Sequence, residues 1–250
     1  MQWLDGQTLA VEDVRFELEF FSAVLNKEST RDCFVLRKTA SMIEDLVQLH
    51  EREHITNLIE LGIYKGGSCA FYHLLFRPDK LVAIDINRTP EPALVDYIQH
   101  HNLSKIIKLY YDTNQSDYPK LLRIVKDEFP GQTLDLIVDD ASHLLSETRI
   151  SFMALFPFLR PGGYYIIEDW GWAHWPDDIW QNSRSVWATR PALTNLIVEI
   201  MMVSASRPDL VSQITVNHRS AIIRRGAGQI DPGKFDLAKL FWPVDGNGVR

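Results

Sequence analysis

The chain has 250 residues, 46% of them apolar and 24% charged, a composition that suits a folded domain with a core and excludes disordered, collagen-like and coiled-coil architectures. Its 26 basic and 33 acidic side chains leave a net charge of −7 without any basic run, which argues against a nucleic-acid partner. Cys33 and Cys69 have no metal or redox spacing, the N-terminus lacks an export pattern, and no apolar run nears the roughly 20 residues of a membrane span, so a reduced, cytoplasmic protein with no membrane partner is expected.

Val14, Leu18, Phe21 and Leu25 recur at helical spacing, and Ile43, Leu46 and Val47 mark a second apolar stripe. Residues 1–54 are therefore expected to be helical, a lid or an oligomer contact ahead of a main domain over 55–250. Five short apolar runs follow: Leu58 to Gly62, Leu81 to Asp85, Ile106 to Tyr110, Leu134 to Val138, and Tyr164 to Ile167. Helical patterns such as Leu121 to Phe129 and Ile150 to Leu159 separate them, which predicts βαβ units and a parallel sheet. Ile214-Thr215-Val216 and Ala221-Ile222-Ile223 stand only four residues apart, too close for a helical crossover, and read as an antiparallel hairpin. The expected architecture is an α/β, Rossmann-like fold with a mostly parallel seven-stranded sheet, a terminal antiparallel hairpin and N-terminal helices.

In such sheets ligands bind beyond the carboxyl ends of the strands, and the acids of this chain collect there. Glu60-Leu61-Gly62-Ile63-Tyr64-Lys65-Gly66-Gly67-Ser68 forms the first strand-to-helix turn, and Asp85 closes the next strand. A carboxylate at that distance from the turn can accept both hydroxyls of an adenosine ribose. A dinucleotide fingerprint requires a glycine where Tyr64 stands, which disfavours a nicotinamide-dependent dehydrogenase. The turn instead resembles motif I of class I S-adenosylmethionine methyltransferases, and the strand order over Leu58 to Gly226 is similar to theirs. The resemblance implies that Glu60, Gly62, Gly66 and Ser68 surround the methionine part of the cofactor, that Asp85 holds the ribose, and that Asp112 lies near the adenine.

Asp139-Asp140 and Glu168-Asp169 end the fourth and fifth runs. On neighbouring strands they would lie ~5 Å apart and repel by ~1 kcal/mol per pair even in bulk water. No basic residue adjoins either pair in sequence, so a divalent ion is the expected compensation, Mg²⁺ by its all-oxygen ligands, with Mn²⁺ or Ca²⁺ as alternatives. The segments Val138 to His143 and Arg160 to Asp169 resemble the metal-dependent sugar O-methyltransferases of macrolide pathways and the cephalosporin-hydroxylase-like proteins grouped with them. That resemblance implies Asp140, Glu168 and Asp169 as metal ligands and His143 as general base, with Asp139 behind the ligands or on the cofactor side. An imidazole can take a proton at neutral pH, and metal coordination would acidify a sugar hydroxyl.

Trp170, Trp172, Trp175, Trp180 and Trp187 crowd after the second acidic pair. As a set they suit an acceptor wall, since aromatic faces stack on sugars; His174, among them, is a reserve base. The expected activity is a Mg²⁺-dependent methyl transfer from S-adenosylmethionine to a sugar hydroxyl of a natural product or nucleotide-sugar, by a homo-oligomer. The alternatives are a cephalosporin-hydroxylase-like protein that modifies β-lactams and a non-catalytic subunit that binds the cofactor. The site has no two-His, one-carboxylate set of the kind non-haem iron oxygenases use.

Overall fold

The runs and stripes of the sequence fold into a mixed α/β structure whose larger sheet has seven strands, most of them parallel. The structure, a computed structural model, describes residues 1–18, 27–176, 178–184 and 187–240. Its chain divides into two units, Met1–Asn114 and Gln115–Arg250.

The first unit opens with β1 (Gln2–Trp3), β2 (Thr8–Val11), β3 (Val14–Leu18) and β4 (Cys33–Leu36), a small sheet in that order. β1, β2 and β3 pair antiparallel, and β4 runs parallel to β3. This corrects the helical reading of Val14 and Leu18; Phe21 and Leu25 lie outside the described residues. A spacing of four serves a helix but is also an even number. In β3 Val14 and Phe16 are buried while Arg15 between them is exposed, which is the two-residue period of a strand. The second stripe does form a helix, α1 (Ala40–Arg52), capped by the Thr39 hydroxyl, which accepts from the Met42 N–H at 3.3 Å, and burying Met42, Ile43 and Leu46.

Then come β5 (Asn57–Leu61), α2 (Gly67–Phe76), β6 (Lys80–Ile84), α3 (Pro92–His100) and β7 (Ile107–Tyr110), with β6 pairing parallel to both β5 and β7. An aromatic cluster joins the small sheet to the helices. The Phe16 ring lies 5.5 Å from that of Phe71 on α2, and the Phe34 ring 5.7 Å from that of Tyr97 on α3.

The second unit contains α4 (Tyr118–Glu128), β8 (Leu134–Asp139), α5 (Leu145–Leu155), β9 (Leu159–Glu168), α6 (Asp178–Gln181), α7 (Thr194–Ser206), β10 (Val211–Val216) and β11 (Ser220–Arg225). β8 is buried along its whole length, as a strand covered on both faces must be. It runs parallel to β9, and β11 runs antiparallel to β9 and β10, the expected hairpin. Among the described residues no helix is long and apolar enough to cross a membrane.

Candidate functional site

The turn from β5 to α2 is shaped by its glycines. Gly62 has φ 97° and Gly66, the residue before α2, has φ 77°, left-handed conformations that glycine adopts without steric cost. Gly67 serves closeness instead, since a Cβ there would stand 2.1 Å from the carbonyl oxygen of Val35 on β4. Ser68 follows, half-buried in the first turn of α2. Asp85, just past β6, folds its carboxylate back onto this turn. Its Oδ2 accepts from the N–H groups of Ile63 at 2.7 Å and Tyr64 at 3.2 Å, and its Oδ1 from that of Asn87 at 2.7 Å. A carboxylate offers about four lone-pair positions, so Asp85 can still accept from a ligand hydroxyl.

Glu60 is fully buried in β5. Burial first, and the Glu60 charge second, push the neighbouring Cys69 thiol well above its usual range, which leaves it inert as a nucleophile. Asp112 follows β7 at φ 50° and is exposed, its Oδ1 accepting from Arg88 Nε at 3.2 Å. The segment before β4 borders the glycine turn. The Ser29 hydroxyl donates to the Lys65 carbonyl at 2.8 Å and accepts from the Val35 N–H at 3.1 Å, and the Arg37 guanidinium lies 5.4 Å from the Tyr64 ring centre.

In the second unit the parallel register pairs Asp139 with Ile167. One residue further it brings Asp140 alongside Glu168, the adjacency expected of the two acidic pairs. Asp139 itself is buried and turned inward. Its Oδ1 accepts from Gln115 Nε2 at 2.7 Å, and its Oδ2 from Ser151 Oγ at 2.6 Å and Tyr165 OH at 2.8 Å. Burial raises its carboxyl to about 6, against the lowering effect of those hydroxyls. Gln115 also accepts from the Ser142 N–H at 3.0 Å through its Oε1, so the network anchors the loop that carries Asp140 and His143. None of Gln115, Ser151 and Tyr165 stands out in sequence, because a polar residue in a loop or helix shows no sign of an inward partner.

His143 sits at φ 55° with its Nε2 3.8 Å from Asp140 Oδ1. Its carbonyl accepts from Trp172 Nε1 at 2.9 Å. Among the described residues, four of the seven non-glycine residues with positive φ (Tyr64, Asp112, His143 and Asp169) follow strand ends of the larger sheet, where strained backbone commonly marks functional loops. Glu168 is buried at the end of β9. Asp169 is mostly covered and stands beside a cation, Arg219 Nη1 lying 3.5 Å from its Oδ1. No basic residue adjoins these acids in sequence, but the fold brings one to Asp169, which corrects the expectation that a divalent ion alone is their compensation there. β11 begins at Ser220 opposite Glu168, so the hairpin turn delivers Arg219 to the strand-end acids. The hairpin was legible, but its pairing with β9, which sets Arg219 beside Asp169, was not.

The tryptophans divide. Trp172 and Trp175 are 3% and 5% exposed and act as core, which corrects their reading as part of an acceptor wall; Trp170, Trp180 and Trp187 are half-buried. Trp187 packs at a tilt within the cluster, 5.1 Å from Trp172 and 5.2 Å from Trp180, and its ring lies 6.2 Å from that of His143. His174, the reserve base, bonds Thr194 Oγ1 at 3.0 Å.

The glycine turn and Asp85 suit an adenosyl cofactor, because backbone closeness, backbone N–H groups and an acid with spare acceptor capacity occur together. A divalent ion fits less well. The register unites Asp140 with Glu168, yet among the described residues no three His, Cys, Asp or Glu side chains converge as a metal centre requires, and Arg219 stands at Asp169.

Residues 59–170 match a family model described as a methyltransferase domain. Mycinamicin VI 2''-O-methyltransferase of Micromonospora griseorubida is 33% identical over 132 residues, 50% of this chain and 30% of that protein. An 8-demethyl-8-(2-methoxy-alpha-L-rhamnosyl)-tetracenomycin-C 3'-O-methyltransferase of Streptomyces olivaceus is 34% identical over 132 residues, again 50% and 30%. The alignments thus span less than a third of these relatives. Among solved structures, the MycE methyltransferase of mycinamycin biosynthesis, in complex with Mg and SAH, matches at TM-score 0.53 and 24% identity, covering 76% of this chain and 51% of that one. TomG of Streptomyces achromogenes, in complex with SAM, matches at TM-score 0.54 and 16% identity, covering 77% and 82%. At these identities the likeness establishes the fold.

Proposed function

We propose that this chain, which carries a methyltransferase domain over residues 59–170, transfers a methyl group from S-adenosylmethionine to a hydroxyl of a glycosylated small molecule. The observation that carries the reading is the matched domain together with the strand-end residues it contains, the glycine turn with Asp85 and the loop with Asp140 and His143. Relatives that methylate macrolide or rhamnosyl sugars supply the acceptor class. S-adenosylmethionine brings its methyl group on a sulfonium that needs no further activation. The protein's task is then to place donor and acceptor and to remove one proton.

Asp85 would hold the ribose, the Gly62 to Ser68 turn the methionine end, and Asp112 the region of the adenine. The segment bordering the turn at Ser29 and Val35 would cover the cofactor. His143 would accept the proton of the attacking hydroxyl at a ring nitrogen, and the imidazolium so formed would gain the Asp140 carboxylate beside it. As oxygen bonds to the methyl carbon, the carbon–sulfur bond breaks and a neutral thioether leaves. Dependence on Mg²⁺, with Asp140, Glu168 and Asp169 as its ligands, belongs to the proposal. It is supported by the β8/β9 register and by the similar fold of MycE, which was solved with Mg, and no proton transfer above relies on it. Free thiols at Cys33 and Cys69 suit a cytoplasmic enzyme.

The test is incubation of the purified protein with methyl-labelled cofactor and a panel of macrolide and rhamnosyl acceptors. Label should appear in an acceptor as an O-methyl group, fail to appear in excess EDTA, and return with added Mg²⁺. His143→Ala should lower kcat by ~10²–10⁴-fold, with partial recovery at high pH. Tight cofactor binding with no transfer to any acceptor would overturn the enzymatic reading; full activity in EDTA would remove the metal alone.

A further inference from the structure

Arg219 stands among the acid-bearing strand ends, and the methyl-transfer reading leaves it unused. Its guanidinium is nine-tenths buried, with Cζ 4.0 Å over the Trp175 ring and Nη1 3.5 Å from Asp169 Oδ1. The placement is over-determined by its backbone. The Asp169 N–H donates to the Arg219 carbonyl at 2.8 Å. Asn217 Oδ1 accepts from the N–H groups of Arg219 at 2.9 Å and Ser220 at 2.7 Å, and the Asn217 carbonyl accepts from Trp170 Nε1 at 3.0 Å. A guanidinium so held is no mobile surface charge; it is a permanent cation built against one of the three carboxylates expected to ligate a metal.

We propose that Arg219 competes with a divalent ion for Asp169, so that this chain binds such an ion more weakly than its carboxylates would alone. The proposal rests on the metal part of the reading above. It accounts for the disagreement in the structure, where the register unites the acids and yet no three donors converge. The physics is like-charge repulsion between guanidinium and divalent ion within a partly desolvated site, combined with the guanidinium's own attraction to the Asp169 carboxylate. Removing the guanidinium relieves both.

The experiment titrates Mn²⁺ alone against the full chain, with free Mn²⁺ followed by electron paramagnetic resonance, for the unaltered protein, Arg219→Met and Arg219→Lys. Methionine keeps an apolar chain against Trp175 without the charge, and lysine keeps the charge. The expected result is binding about tenfold tighter in Arg219→Met and within about threefold of the unaltered protein in Arg219→Lys. Should Arg219→Met fail to fold, as judged by circular dichroism, Arg219→Gln offers an uncharged partner to Asp169 and is expected to tighten binding equally. Equal or weaker binding in the uncharged variants, with measurable binding to the unaltered protein, overturns the role of Arg219 and leaves the metal reading in place. No binding to the unaltered protein or to any variant overturns the metal reading itself, and the competition with it.

Discussion

At Gly67 two backbones nearly touch, a Cβ there standing 2.1 Å from the Val35 carbonyl oxygen, whereas at Asp139 the meeting is between side chains from four places in the sequence, Gln115, Asp139, Ser151 and Tyr165. The glycine turn of the first unit is thus a backbone construction: left-handed residues, a helix start pressed onto a strand, and main-chain N–H groups aimed at Asp85. The strand ends of the second unit are a side-chain construction, in which a buried amide and two hydroxyls secure one acid, an indole secures the His143 carbonyl, and an arginine adjoins Asp169. A backbone site tolerates change at its side chains but not at its glycines. A side-chain site is tunable at each member and loses a measured amount with each loss.

That contrast can be broken by substitution. The largest effect is expected at Gly67→Ala, where the added methyl meets backbone that cannot swing aside. A loss of about 3 kcal/mol is expected in urea unfolding, with cofactor binding lost alongside; a loss under about 1 kcal/mol would show that the approach of α2 to β4 is not so close. Gln115→Leu should cost about 2 kcal/mol, because it leaves the Ser142 N–H and an Asp139 oxygen without their buried partner. The same variant should lower kcat more than it raises KM, since the loop it frees carries His143.

The two units should also respond oppositely to pH. Burial raises the Asp139 carboxyl to about 6 in the fold, so its contribution to stability is complete below about pH 4 and is lost as pH rises through 6. Burial, aided by His101, lowers His73 to about 4, so its contribution is present above about pH 6.5 and is lost as pH falls through 4. Each effect is on the order of 3 kcal/mol. Thermal unfolding between pH 4 and 7 should lose its acid limb in His73→Gln and its rise-of-pH limb in Asp139→Asn; unchanged profiles would mean that neither group titrates as its burial requires. The smallest effect is expected at Thr39→Ala, about 1 kcal/mol for the lost cap of α1, read as a small fall in unfolding midpoint.

Much of the large sheet was legible. Five apolar runs became β5 to β9 and the closing pair became the β10/β11 hairpin; the trace is plainest at β8, which is covered on both faces and apolar almost throughout. The small N-terminal sheet was not. Val14 and Leu18 are four apart, and the alternation Val14-Arg15-Phe16 that separates strand from helix is only a few residues long. The candidate site was legible where chemistry is written into a local string, as at Gly62, Gly66 and Asp85. It was illegible at Gln115 and Arg219, whose partners stand 24 and 50 positions away in sequence. The tryptophans show the same limit, since composition announced a cluster but only packing separated the buried Trp172 and Trp175 from the half-buried Trp170, Trp180 and Trp187.

By itself the sequence determined the alternation of strands and helices, the glycine turn, and the placement of acids at strand ends, since hydrophobic periodicity and backbone sterics act between near neighbours. Tertiary structure alone decided which acid is buried with its carboxyl raised, which stands beside an arginine, and which histidine carbonyl an indole holds. Those outcomes depend on desolvation and on charge at a few ångströms, quantities that exist only once distant segments have come together.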